Sequence, residues 1–218
     1  MLKGIIFDLD GVLVDSHAAH MQAWREFLHG MGRDVSEGEL AVVLEGRKRE
    51  EILRHFLGEL SAGEVREYGT RKDELFRCYA RELKPLPGAV EFLEAATEAQ
   101  LQIGLASSAS RARVERTLQE LGLERHFRVT VSGDDVAAGK PDPAIFRMAA
   151  HGLRLTPENA LVCEDAVCGV EAAKAAGMRC LAIAANGRAE ALKAAGADRV
   201  APDFQQVKVE DLRGLFGD

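Results

Sequence analysis

Cysteine and positive charge are scarce in this sequence, and proline is missing altogether from its first 84 residues. The four cysteines (Cys78, Cys163, Cys168 and Cys180) form no Cys-x-x-Cys pair. That argues against a zinc site or a disulfide framework and predicts a reduced, cytoplasmic chain in which Cys163 and Cys168 are small core residues. Lys and Arg total 28 against 35 Asp and Glu, a net charge of −7. A protein that grips a nucleic-acid backbone carries the opposite surplus, so no nucleic-acid partner is expected. No apolar run approaches the roughly 18 residues of a membrane span, so no membrane partner is expected either. Residues 1–7 meet a carboxylate at Asp8, too early for a signal peptide. No heptad stripe marks an interface, which predicts a monomer or weak oligomer. What remains, 47% apolar and 29% charged residues in 218, suits a soluble globular protein with one large core or a core plus a satellite.

The proline asymmetry divides the chain. In the Pro-free block, Met21, Trp24, Phe27, Leu28 and Met31 recur at three- and four-residue steps, as do Ile52, Leu53, Phe56, Leu57 and Leu60. These are apolar stripes of amphipathic helices, about four in all, punctuated at Gly32, Gly46 and Gly58. Lys84-Pro85-Leu86-Pro87-Gly88 ends the pattern. Beyond it, short apolar runs (101–106, 128–131, 160–162, 179–184 and a weaker 199–201) alternate with helical segments that begin near Gly88, Arg111, Pro143, Val167 and Arg188. Such alternation predicts a parallel sheet with crossover helices. A first strand at residues 4–7 stands alone ahead of the helical block, which therefore reads as an insertion. The expected architecture is α/β: a Rossmann-like parallel-sheet core (1–16 and 85–218) with an inserted helical cap domain (17–84).

The strongest chemistry lies where that first strand ends, in Phe7-Asp8-Leu9-Asp10-Gly11-Val12. Residues i and i+2 of an extended chain point the same way, so Asp8 and Asp10 share a side. Two carboxylates so close raise one another's pKa unless a cation lies between them. A hard cation such as Mg²⁺ suits such oxygens, and a partly protonated carboxyl can serve as a general acid. In open α/β sheets ligands bind just outside the carboxyl ends of strands. Solvated aspartates at a polar strand end are the plain alternative. Three further pieces fall at later strand ends: Ser107-Ser108-Ala109-Ser110, Gly139-Lys140-Pro141-Asp142-Pro143 and Glu164-Asp165. Singly, each reads as a helix cap or surface charge. Lys140 is followed by proline, which excludes a phosphate-binding loop of the Gly-Lys-Ser/Thr type. Together the pieces supply hydroxyls, a cation and two carboxylate pairs around one crevice, which is what phosphoryl transfer needs.

Asp8-Leu9-Asp10-Gly11-Val12, Ser107, Lys140 and Glu164-Asp165 resemble, in order, the four motifs of the haloacid dehalogenase-like phosphotransferases, and the insertion resembles the helical-cap subgroup. The resemblance spans essentially the whole chain. It implies that Asp8 is a nucleophile forming an aspartyl phosphate and that Asp10 is the general acid and base. It implies Mg²⁺ between Asp8, the Asp10 carbonyl and Asp165, with Glu164 as a ligand or just behind. It further implies phosphoryl oxygens held by Ser107, with Ser108 beside it, and by Lys140. The acidic cluster disfavours the dehalogenase branch.

Within that group the sequence is most similar to β-phosphoglucomutases and sugar-phosphate phosphatases, on His20, Trp24, Gly46, Arg49 and Lys72 of the cap. Trp24 also lies on the apolar stripe and reads equally as core. Arg49 reads equally as solvated charge. His17 and His20, one helical turn apart, suggest a hinge or capping role rather than a metal site. Ser16 stands where the mutases have threonine, and residues 185–190 and 196–200 resemble the broader phosphatases. The expected partner is a small phosphorylated metabolite, and the expected activity is hydrolysis of a sugar or polyol phosphate. The alternative is interconversion of β-glucose 1-phosphate and glucose 6-phosphate.

Overall fold

The computed structural model describes residues 1–185 and 187–217; Asn186, part of the phosphatase-like tail, lies outside the described residues. Six parallel strands, β1 (Gly4–Phe7), β2 (Gln102–Ala106), β3 (Val129–Val131), β4 (Ala160–Glu164), β5 (Arg179–Ile183) and β6 (Arg199–Ala201), form one sheet in the order β3-β2-β1-β4-β5-β6. The alternation read from the sequence is thus an α/β parallel sheet, with strand limits within two residues of those expected. β1 is central because both its faces and both its edges are covered. Ile5 and Phe7 pack into one apolar layer, where Phe7 meets Phe92, Phe127 and Phe204, while Ile6 packs into the other with Phe146 and Val162. A strand buried on both faces needs a continuous apolar run rather than an alternating one.

Register places the chemistry. Phe7 is level with Leu105 of β2 and with Cys163 of β4. One residue further, Asp8, Ala106 and Glu164 emerge side by side from three adjacent strands, and Ser107 and Asp165 follow. The Asp8 N–H donates to the Cys163 carbonyl at 2.9 Å, extending the ladder to Asp8 itself.

Between β1 and β2 run α1 (His17–Gly30), α2 (Glu37–Leu40), a 3₁₀ turn (Ala41–Leu44), α3 (Arg49–Leu57), α4 (Ala62–Tyr79) and α5 (Ala89–Glu98). Both predicted apolar stripes meet in one cluster built on Trp24, Phe27, Leu28, Ile52, Leu53 and Phe56. The starts of α2 and α4 are fixed by capping boxes, Ser36 with Glu39 and Ser61 with Glu64. The remaining helices, α6 (Arg111–Leu121), α7 (Ala144–Gly152), α8 (Val167–Ala175), α9 (Ala189–Ala194) and α10 (Val209–Arg213), follow β2 to β6 and cover the sheet. Among the described residues no helix is long and apolar enough to cross a membrane. The Lys140–Pro141 bond is cis.

Candidate active site

A cavity of about 80 Å³ lies between the carboxyl ends of β1, β2 and β4 and the helical insertion. Every candidate named from the sequence lines it except Lys140. That lysine, 1% exposed, lies behind the wall, donating to Asp8 Oδ1 at 2.6 Å and to Glu164. Glu164 Oε2 also accepts the backbone N–H groups of Asp165 and Ala166, at 2.7 and 2.8 Å. Its carboxylate fits only because residue 169 is glycine: a Cβ there would lie 1.9 Å from the Glu164 carboxyl carbon.

Charge in this corner does not balance. Burial, with Glu164, Asp10 and Asp165 nearby, pushes Asp8 up to about 8 although Lys140 opposes the shift. Asp165 is raised as well, by burial and by Glu164, against His17 and Arg188. Its Oδ2 receives His17 Nε2 at 2.9 Å and Arg188 Nη2 at 3.0 Å. Gly11 makes room for this group; at φ +73° it is in the left-handed region, and a Cβ would lie 2.4 Å from Asp165 Oδ2 and 2.2 Å from His17 Nε2.

Asp10 is held differently. Arg113 grips both of its oxygens, Nη1 at 2.9 Å from Oδ1 and Nη2 on Oδ2. Ser16 Oγ donates to Oδ1 at 2.7 Å, and His20 Nε2 lies 3.2 Å from the same atom. Burial works to raise the Asp10 pKa, but Arg113 and His20 outweigh it and hold the carboxyl well below the usual range. Ser16 occupies the N-cap position of α1, yet its hydroxyl caps nothing and goes to Asp10. Ser110, the N-cap of α6, is diverted in the same way to Asp73 Oδ2, at 3.1 Å.

On the helical side, Lys72 is buried against the rings of Trp24 and Phe76, with Nζ 3.1 Å from His20 Nδ1. Burial and the Arg113 charge lower its pKa to about 7, and burial and Lys72 lower that of His20 to about 3, so the imidazole is neutral at pH 7. Trp24 serves both readings, packing with Phe27 and Phe56 and lining the cavity. Arg49 is an ion-paired residue, not a free surface charge: its Nη1 contacts Asp73. Ser107 Oγ accepts the Ala109 N–H at 3.3 Å, and Ser108 Oγ donates to the Gly46 carbonyl at 2.7 Å, tying core to insertion.

The sequence reading missed Arg113, Asp73 and Arg188, and undervalued His17. An arginine at the third position of a helix looks like solvated charge, and nothing local marks Arg113 as the partner of a residue more than a hundred positions away.

The donors suit a divalent cation in kind. They are hard oxygens, and the surplus of negative charge that lifts Asp8 is what a cation would relieve. Both Glu164 oxygens and both Asp10 oxygens already have donors. Among the described residues no three His, Cys, Asp or Glu side chains converge on a common point. The side chains left to hold such an ion are Asp8 and Asp165.

Residues 2–177 match the haloacid dehalogenase-like hydrolase family. The phosphorylated carbohydrates phosphatase of Thermotoga maritima is 34% identical over 179 residues, 81% of this chain and 82% of that protein. The β-phosphoglucomutase of Bacillus subtilis is 34% identical over 190 residues, 81% of each chain. The crystal structure of β-phosphoglucomutase from Clostridium difficile matches with a TM-score of 0.89 at 30% identity, covering 100% of this chain and 98% of that one. The family model covers most of the chain and the fold overlays on that of a relative along its whole length, and the chain belongs to the haloacid dehalogenase-like hydrolases.

Proposed function

We propose that this enzyme is a Mg²⁺-dependent phosphatase of a small sugar or polyol phosphate, acting through an aspartyl phosphate on Asp8. The observation that carries the reading is the convergence on one cavity of Asp8, backed by Lys140, with Asp10 and Ser107. Asp8 attacks phosphorus as the ester P–O bond breaks, and Asp10, which can carry a proton only once Arg113 no longer clamps it as a carboxylate, gives that proton to the departing sugar oxygen. Water then attacks the aspartyl phosphate, Asp10 takes its proton, and inorganic phosphate leaves with Asp8 restored. Lys140 and the Ser107 hydroxyl offset charge on the transferring oxygens. Asp8, Asp165 and the Asp10 carbonyl would hold Mg²⁺, which would supply charge neutralisation for a dianionic substrate beside carboxylates.

Residues of the helical insertion (17–84), among them Trp24, Arg49 and Lys72, form one side of the cavity, so a substrate binds between insertion and core. The insertion is tied to the core by polar contacts that include Ser108 to Gly46, Lys48 Nζ to the Val136 carbonyl at 2.7 Å, the Gly139 N–H to Glu51 at 3.1 Å and Arg188 Nη1 to the Leu44 carbonyl at 3.1 Å, besides His17 on Asp165 and Ser110 on Asp73.

Arg49 and Lys72 on the cap side, with Arg113 of α6 near them, favour a second reading, a phosphohexomutase that grips another phosphate there. One assay separates the two. The protein is given Mg²⁺, β-glucose 1-phosphate and a trace of glucose 1,6-bisphosphate, and both glucose 6-phosphate and free phosphate are followed. Phosphate release without isomerisation is expected; rapid isomerisation without release establishes the mutase. Asp8→Asn is expected to lower either activity by about 10⁴-fold or more, and unchanged turnover would sink the aspartyl-phosphate account.

A further inference from the structure

Arg113 belongs to two cavities. Besides the active-site wall it lines a separate cleft of about 290 Å³ between the C-terminal part of α4, with the segment after it, and α6. In a chain of net charge −7, four arginines, Arg77, Arg81, Arg113 and Arg116, line this cleft against one acidic residue, Glu120. Arg77 reaches Glu74 only at 3.9 Å. Among the described residues no carboxylate is within ion-pair distance of Arg81 or Arg116. Two of the four, Arg81 and Arg116, thus lack a counter-charge, and a bound oxyanion would supply one.

The cleft is coupled to the chemistry through Arg113 itself, 92% buried, with its guanidinium over the Phe76 ring at 5.1 Å. Of the five N–H donors of a guanidinium, two are committed to Asp10. With Arg113 and Ser16 in place, each Asp10 oxygen already accepts at least one hydrogen bond, and the paired guanidinium disfavours the protonated form that a general acid needs. Pulling Arg113 away without a replacement would strand a buried cation, so the clamp opens only if another anion takes the guanidinium.

We propose that this arginine-lined cleft is a regulatory site for a small oxyanion of two or more charges, which draws Arg113 off Asp10 and opens Asp10 to the substrate. The coupling to Asp10 rests on the phosphoryl-transfer reading; the anion site does not.

The test measures kcat at saturating substrate, where competition for the active site drops out, with turnover read from the sugar product. Potassium sulfate and 3-phosphoglycerate are each compared with potassium chloride at equal ionic strength. A rise of about threefold or more is expected. Sulfate alone sufficing identifies an inorganic dianion; a response to 3-phosphoglycerate only identifies a phosphorylated metabolite. The rise should vanish in the Arg81→Glu/Arg116→Glu double variant. No change or a fall with both anions, or a rise that survives in the variant, overturns the proposal. A second readout needs no turnover. Sulfate should raise the Tm of the native protein by about two degrees more than that of the double variant, and equal shifts overturn the site. Absence of sugar product from every substrate would instead defeat the phosphatase reading, while the Tm comparison still decides the site.

Discussion

The two walls of the active-site cavity are built on different principles. On the core wall, Asp8, Ser107 and Glu164 stand at the ends of three neighbouring strands whose register is set by backbone hydrogen bonds. Their positions are fixed before any side-chain contact is made. On the cap-facing wall, long side chains pair with one another: Arg49 with Asp73 and Lys72 with His20. Those pairs satisfy the site when it is empty and are exchangeable for groups of a substrate. The contrast separates a rigid chemical centre from an adaptable selective one, and it can be broken or sharpened by substitutions on either side.

The largest effect is expected on the core side of the comparison. Asp10→Asn keeps the shape but can neither give nor take the proton, and it should lower kcat by about 10²–10⁴-fold, read from initial rates at saturating substrate. Lys140→Met leaves Asp8 and Glu164 buried without their shared cation. A loss of about 3–5 kcal/mol in unfolding free energy is expected, measured by urea denaturation at neutral pH, where a stability loss below ~1 kcal/mol would refute the assignment.

Lys72 should show the opposite balance, function kept at the expense of stability. Its pKa falls from 10.5 to about 7 on folding because burial and Arg113 disfavour the ammonium. Below that value both folded and unfolded states carry the charge, and the folded state bears the full cost of burying it. Between there and 10.5 the unfolded state binds more protons, so the contribution of Lys72 to stability rises with pH. Lys72→Met is therefore expected to raise the Tm near pH 6, an advantage that shrinks toward about pH 9.5. If Lys72 also touches the substrate, KM should rise about ten- to a hundredfold. A Tm difference that is independent of pH would refute the buried-charge account. Ser108→Ala removes one bond between core and cap, and should cost no more than about 1 kcal/mol, seen as a change in KM of a few-fold.

Legibility from the sequence followed the same division. The Asp8–Asp10 pair, the serines after β2 and Glu164–Asp165 were visible because parallel strands carry their chemistry at a predictable place, immediately after an apolar run, whereas Lys140 lies well beyond β3 and was legible from its Gly-Lys-Pro setting. The helical stripes were equally plain, since Trp24, Phe27, Phe56 and their neighbours repeat at the period of the helix. Arg113, Asp73 and Arg188 were not, because an isolated charge on a helix or in a loop has no periodicity to betray its partner. His17 and His20 show the limit well. Their three-residue spacing put them on one face of α1, but only the fold sends one to Asp165 and the other to Asp10.

What the sequence alone determined is the set of elements and the centre of the chemistry: a strand buried on both faces must be uninterruptedly apolar, and the residue that follows it emerges at the sheet edge whatever lies around it. Only the tertiary structure decided the charge state and the guard of that centre. Which cation neutralises which carboxylate depends on distances between residues far apart in the chain, and electrostatic energy in a buried site changes steeply with those distances.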